Sequence, residues 1–400
     1  MKIAVVVGMF PKISETFIVN QITGLLDRGH EVTIIAKERA EDILQSDVID
    51  YDLTSRTLYP GSLPASRFRR LTKFAVDLIA RPRRSLALLK LAAPFDSAGL
   101  QRFYLARLFQ RQRFDLIHCH FGFIGRQIAE FQNLGLVGAP VVTSFHGVDI
   151  GATATAEEYQ TLHRQGTSFT ANSKFSSDRA VALGCPAERI SLLPVGVSLP
   201  SFPFSERRLS PDRPLRLLTV GRLITSKGIH IAIGAVRQLA EAGVDVHYDV
   251  VGDGPQRAEL ERIAPAGSVT FHGALLREQV IERFRAADLF VLPSLGMEAQ
   301  NVGMEGQGLV LQEAQAMGIP VIASRCCGIP EGVLDGESGM LVPEGDTPAL
   351  TEAILKMRDA HQSWPEFGRK GRALVEQKFD IDSLNDRLVE IYEESIALCS

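Results

Sequence analysis

Residues 305–313 read Glu305-Gly306-Gln307-Gly308-Leu309-Val310-Leu311-Gln312-Glu313: two carboxylates eight positions apart, with two glycines and an apolar run between them. Gly306 and Gly308 allow the backbone to approach a ligand closely. Leu309, Val310, Leu311, Ala314 and Ala316 then read as the buried start of a helix. A helix opening at Gly308–Leu309 would aim free N–H groups and a positive dipole end at whatever lies in front of it, which makes an anion site. Glu305 would stand just before that helix. Glu313 would stand one turn inside it, within reach of a ribose diol. The layout suits a ligand with a sugar, a diphosphate and a nucleoside; the alternative is an ordinary glycine-rich loop with two surface glutamates.

A second stretch favours the ligand. Gly221-Arg222-Leu223-Ile224-Thr225-Ser226-Lys227-Gly228 follows the strand-like run 215–220. Arg222 and Lys227 therefore sit at the carboxyl end of a strand, where open α/β sheets bind ligands. A guanidinium fork and a mobile ammonium together suit two phosphates. Taken singly, each is also an ordinary charge on a solvated loop.

With these residues the chain resembles the retaining glycosyltransferases of family four, which have the GT-B fold. Glu305 and Glu313 match the family's E-x7-E motif, and Gly221-Arg222 with Lys227-Gly228 match its basic loop. Further matches are Val251-Gly252-Asp253-Gly254-Pro255, Phe271-His272-Gly273, Asp288–Ser294, Glu313–Gly318, Pro320–Ala323 and Gly328-Ile329-Pro330-Glu331. In the first half, Phe10-Pro11, Ser14–Phe17 and Phe145-His146-Gly147-Val148-Asp149 resemble the branch that builds exported polysaccharides of the colanic-acid and amylovoran type. The resemblance covers nearly the whole chain. It is strong in the C-terminal half and looser between about residues 40 and 115. Two departures stand out: only Gly8 follows the first strand where many relatives carry a glycine pair, and Gln307 stands where many have Phe. The latter is expected to make the sugar-facing loop more polar.

Composition agrees with a globular enzyme. The chain has 400 residues, 45% hydrophobic and 22% charged, which suggests two or more domains. A net charge of −4 and a single Trp give nucleic-acid binding little support. The start lacks the pattern of a signal peptide, and no run of about twenty apolar residues occurs. Five unevenly placed cysteines suit a reducing cytosol. Adjacent Cys326 and Cys327 lack metal-ligand spacing and read as small loop residues.

The pattern is βα repeated twice over. Strands are expected at 2–7, 31–36, 115–118, 140–144, 169–171 and 190–193, then at 215–220, 246–251, 268–271, 288–292 and 320–323. A helix is expected at Ser14–Arg28, with Ser14 as N-cap. Alternation of this kind implies parallel sheets with helices on both faces. The proline-bearing stretch 196–214 reads as a linker. The expected division is an acceptor-side Rossmann-like domain at 1–197, a nucleotide-sugar-binding one at 198–378, and a helix at 379–400 that returns to the first.

Competing chemistries fit less well. Gly252-Asp253-Gly254 starts like a dinucleotide fingerprint but lacks the third glycine and lies in the second half. The D-x-D triplets, Asp50-Tyr51-Asp52 and Asp380-Ile381-Asp382, do not close an apolar strand, so no metal clamp is expected. Diphosphate charge would then be met by Arg222, Lys227 and a helix N-terminus. Charge is uneven in the first half: residues 67–90 carry eight Lys/Arg against Asp77 alone, interleaved with apolar residues. The functional reading is a face resting on an anionic membrane, suited to a lipid-linked or oligosaccharide acceptor. A solvated helix pair is the alternative.

The resemblance implies a metal-independent hexosyltransferase of the cytosol, peripheral to the membrane if the basic face binds there, that uses a nucleotide-diphosphate sugar as substrate and needs no cofactor. UDP-hexose is favoured over GDP-mannose. It assigns chemistry to His146, Glu305, Arg222 and Lys227, and donor binding to Arg222, Lys227, Gly252, Gly254, Gly273, Gly306, Gln307, Gly308, Leu309 and Glu313. The other readings are a GT-B sugar-nucleotide epimerase and a catalytically silent nucleotide-sugar-binding subunit of a synthase.

Overall fold

The computed structural model describes residues 1–12, 14–40, 45–60, 90–92, 97–296 and 304–399. The basic run lies outside these residues, apart from the exposed Lys90.

Apolar runs in the first half form strands β1 (Lys2–Phe10), β2 (Glu31–Arg39), β3 (Thr57–Leu58), β4 (Leu116–His120), β5 (Val141–Phe145), β6 (Ser168–Ala171) and β7 (Ile190–Leu192). They pair as one parallel sheet in the order β3-β2-β1-β4-β5-β6-β7. The second half gives β8 (Leu215–Val220), β9 (Val246–Val251), β10 (Val269–Gly273), β11 (Leu289–Leu292), β12 (Val321–Ser324) and β13 (Gly339–Val342), in the order β10-β9-β8-β11-β12-β13. Side chains along a strand alternate faces. Accordingly Ile3, Val5 and Val7 pack with Ile18 and Ile22 on one side, while Ala4 and Val6 pack with Phe103 and Phe131 on the other. Leu217 and Leu218 divide in the same way between two cores of the second sheet. Both sheets are therefore covered on both faces, as parallel sheets require. The architecture is the two-domain GT-B fold.

Three expectations need adjustment. Ser14 is not the N-cap: the Glu15 N–H closes a turn onto the Lys12 carbonyl (3.0 Å), so the helix runs Thr16–Asp27 with Glu15 at the cap and no side-chain cap bond. Two edge strands, β3 and β13, were not anticipated; one has two residues and the other opens on glycine, too little pattern to read. The first strand also runs three residues further, to Phe10.

The tail behaves as the resemblance implies. Helix Ile381–Ala397 buries Leu388, Ile391 and Tyr392 in the core of the first sheet. Arg28 clamps it, donating to Asp386 and to the Asp382 carbonyl at 2.7 Å each. The two chain passages run side by side: the Val197 N–H donates to Phe379 O (2.7 Å) and Ile381 N–H to Val197 O (3.2 Å).

Candidate active site

Strand order reverses between β1 and β4 in one sheet and between β8 and β11 in the other. Ligands of open α/β sheets bind at such points, beyond the carboxyl ends of the strands. Arg222 and Lys227 follow β8, Ser294 follows β11, and His146 follows β5, one strand from the first reversal.

Lys227 closes the turn Thr225–Lys227. Its ammonium pairs with the Glu305 carboxylate, and Ser294 Oγ donates to the same oxygen at 3.3 Å. Both side chains are only 17% and 16% exposed, so the pair is partly shielded from solvent. Arg222 is exposed and forms no ion pair among the described residues. The structure thus brings Lys227 and Glu305 together across 78 residues and leaves a second cation, Arg222, exposed on the same loop as Lys227.

Helix Leu309–Ala316 starts after Gly308, which is left-handed at φ 79°, ψ 52°. Glu313 stands in its second turn; burial pushes its carboxyl up to about 7, opposed by the charge of Arg277. Arg277 is itself held by Asp47 of the first domain at 2.9 Å. Gly252, Gly254 and Gly273 lie after β9 and at the end of β10, where the Gly252 N–H bonds Gly273 O at 2.8 Å. The first two have backbone as immediate neighbours: a Cβ on Gly252 would meet Gly221 O at 1.9 Å and one on Gly254 would meet Leu223 O at 2.5 Å, whereas one on Gly273 would meet the Arg257 side chain at 3.2 Å.

The glycine loop also packs against the first domain. Gly306 approaches the first domain: a Cβ there would lie 2.6 Å from the His146 carbonyl and 2.7 Å from Asn172 Nδ2. Gln307 does not present its side chain to a sugar. Its amide is buried against Val195, accepting from Val195 N–H at 2.7 Å and donating to Val195 O at 2.9 Å. Two backbone bonds outweigh exposure of a neutral amide, because buried Val195 would otherwise be left unpaired. Nearby, Glu331 caps a helix of the other domain, accepting from Lys174 N–H (2.7 Å) and Phe175 N–H (2.9 Å). Cys326 is buried and donates its thiol to Ser294 O at 3.3 Å.

His146 faces a cluster of rings: Phe17 and Phe121 at 4.8 Å each and His120 at 5.4 Å, with its Nε2 3.1 Å from His120 Nδ1. Burial pulls the His146 pKa down to about 3, so the ring is neutral. Asp149 is a site residue that sequence reasoning quoted in F-H-G-V-D but gave no role. Its carboxylate accepts from Gly122 N–H at 2.6 Å and His146 N–H at 3.0 Å, tying together the turns after β4 and β5. Burial pushes its pKa up to about 6 against the pull of those donors. The signal was an acid three residues after a strand-ending histidine.

The comparisons agree with this fold. The family model described as Glycosyl transferases group 1 matches residues 214–359, and the Glycosyltransferase Family 4 model matches 14–200. The chain is 32% identical to WcaL of Escherichia coli K12, a glycosyltransferase assigned to colanic acid biosynthesis, over 98% of this chain and 100% of that protein. It is 31% identical to the amylovoran biosynthesis glycosyltransferase AmsK of Erwinia amylovora, over 98% of this chain and 99% of AmsK. Among solved structures, Anabaena HepE in complex with UDP-glucose superposes with a TM-score of 0.71 at 19% identity, over 98% of each chain. The chain belongs to the group 1, family 4 glycosyltransferases.

Proposed function

We propose that the protein transfers a hexose from a nucleotide-diphosphate sugar to a lipid-linked saccharide during exopolysaccharide biosynthesis, with retention of anomeric configuration and without a metal. The observation that carries this reading is the shielded Lys227–Glu305 pair at the reversal of strand order, with Arg222 exposed on the same loop as Lys227. The names of WcaL and AmsK support the pathway, and the UDP-glucose complex of HepE supports a nucleotide-sugar donor. UDP-hexose is the favoured donor and GDP-mannose the other to be tested.

In this reading Arg222 and Lys227 stabilise charge growing on the β-phosphate as the glycosidic bond breaks. Glu305 orients Lys227 and holds hydroxyls of the hexose. Glu313 accepts from the ribose diol. The leaving diphosphate oxygen takes the acceptor's proton on the same face, so no protein nucleophile is needed. Neutral His146 offers a hydrogen-bonding ring nitrogen rather than a charge.

The test is transfer from UDP-glucose, UDP-galactose and GDP-mannose to membrane lipid extract, with and without excess EDTA, and NMR of the product's anomeric centre. A retained configuration, with most of the rate surviving EDTA, supports the proposal. Inversion, or activity restored only by Mg²⁺ or Mn²⁺, overturns the corresponding part.

A further inference from the structure

Among the described residues, Phe121 is one of three non-glycine residues with positive φ, at φ 73° and ψ 137°, between β4 and helix Gly122–Asn133. Such a backbone is strained for a phenylalanine and persists only where neighbours impose it. Here they do. The Phe121 N–H donates to Ser144 O at 2.9 Å, and the next N–H, of Gly122, is held by the buried Asp149 carboxylate at 2.6 Å.

The result is a row of rings. His146 lies 4.8 Å from Phe121, and Phe123 lies flat on Phe121, 5.2 Å away with only 6° between planes. The inner end of the row meets the loop that carries Glu305: a Cβ on Gly147, next to His146, would lie 2.9 Å from Gly306 Cα. The outer end is open: Phe123 is 45% exposed. Three residues along the same helix, hence on the same side, Arg126 pairs loosely with Glu158 at 3.6 Å. Both side chains remain partly exposed, at 35% and 45%.

We infer that the Phe123 ring face, with Arg126 and Glu158 beside it, is the subsite for the acceptor's pyranose ring. The inference rests on the glycosyltransferase reading and specifies where its second substrate lies. A pyranose has an apolar C–H face and a rim of hydroxyls, so it matches a flat aromatic face with charged donors and acceptors at its edge. An isoprenoid or acyl chain would instead need a continuous apolar trough, whereas the next residue on this side of the helix, Arg126, and its partner Glu158 are charged. The strained turn fixes the ring row in advance, so little ordering is lost when a sugar stacks on it.

The test is saturation-transfer NMR with methyl α-glucoside, α-galactoside and α-mannoside, in the presence of UDP or GDP to fill the donor side. Wild type should show contacts to the C–H protons of one pyranose face for at least one glycoside. Phe123→Ala should weaken binding about fivefold to tenfold, the scale of one lost aromatic contact, while Phe123→Tyr keeps it. Matched melting temperatures establish that the exposed substitution leaves the fold intact. No signal from any glycoside, or equal affinity in Phe123→Ala, overturns the inference. So does a Phe123→Ala variant that loses binding to phosphatidylglycerol vesicles while keeping the glycoside signal. Failure of wild type to bind either nucleotide sinks the donor reading instead, and leaves the glycoside result to be judged alone.

Discussion

Lys227 and Arg222 carry the chemistry in this account, and their situations differ. Lys227 is already neutralised by Glu305, whereas Arg222 is unpaired among the described residues. A diphosphate between them must share Lys227 with Glu305. Lys227→Ala and Arg222→Ala are each expected to lower kcat by about 10²–10³ at saturating donor, the usual loss for one charge-stabilising group. Steady-state rates near wild type in both variants would remove them from the site. Glu313 adds a pH dependence. Its folded pKa of about 7 is raised above the ordinary carboxylate value, so the folded state holds an extra proton between about pH 4.5 and 7. Any stability from that proton is present at low pH and lost as pH rises through 7. A ribose diol donates to the ionised form, so nucleotide-sugar affinity should rise from pH 6 to pH 8. The diphosphate of a nucleotide sugar does not titrate there and His146, near 3, does not either, while Asp149, near 6, remains in both proteins. Calorimetry across that range should show the rise in wild type and its loss around pH 7 in Glu313→Gln. A flat wild-type profile would take Glu313 out of the ribose contact.

At the level of elements, the glycine loop joins the domains as well as flanking the ligand site. Gln307→Ala removes both partners of Val195 and leaves a buried N–H and C=O unpaired. A loss of about 2–4 kcal/mol is expected from two such groups, read as a lower midpoint in urea unfolding; an unchanged midpoint would mean that water replaces the amide. This element also marks where sequence reading stops. Strand positions, the helix after Gly308 and the placing of Arg222 and Lys227 at a strand end all follow from local periodicity and spacing. The job of Gln307 does not, because a polar residue in a glycine loop reads the same whether it meets a sugar or a backbone 112 positions away. Asp149 and Phe121 were hidden for the same reason. The Asp149 carboxylate acquires its role only when β4 and β5 lie side by side, and no composition signal announces a positive φ at phenylalanine.

For the whole molecule, the loop after β5 meets the Glu305–Gly308 loop of the second half, and helix Ile381–Ala397 fastens the second half onto the first. The first domain then offers Phe123 and, in sequence, the basic run 67–90. None of the helices among the described residues is long and apolar enough to cross a membrane. The lipid-linked acceptor of the proposed function would be met through that basic run. Anionic vesicles should co-sediment the protein at low salt and release it as the Debye length falls below about 8 Å. Arg81, Arg83 and Arg84 changed to Glu should abolish pelleting; equal pelleting with neutral lipid would make the run a solvated face. The central claim is that Lys227, oriented by Glu305, binds the donor diphosphate. Calorimetric titration of wild type and Lys227→Ala with UDP-glucose, UDP-galactose and GDP-mannose tests it most directly. The account predicts saturable binding of at least one donor to wild type and a loss of about tenfold or more in the variant, as for a removed charge-assisted contact. Equal affinity in the two proteins, or no binding of any donor by wild type, would contradict it.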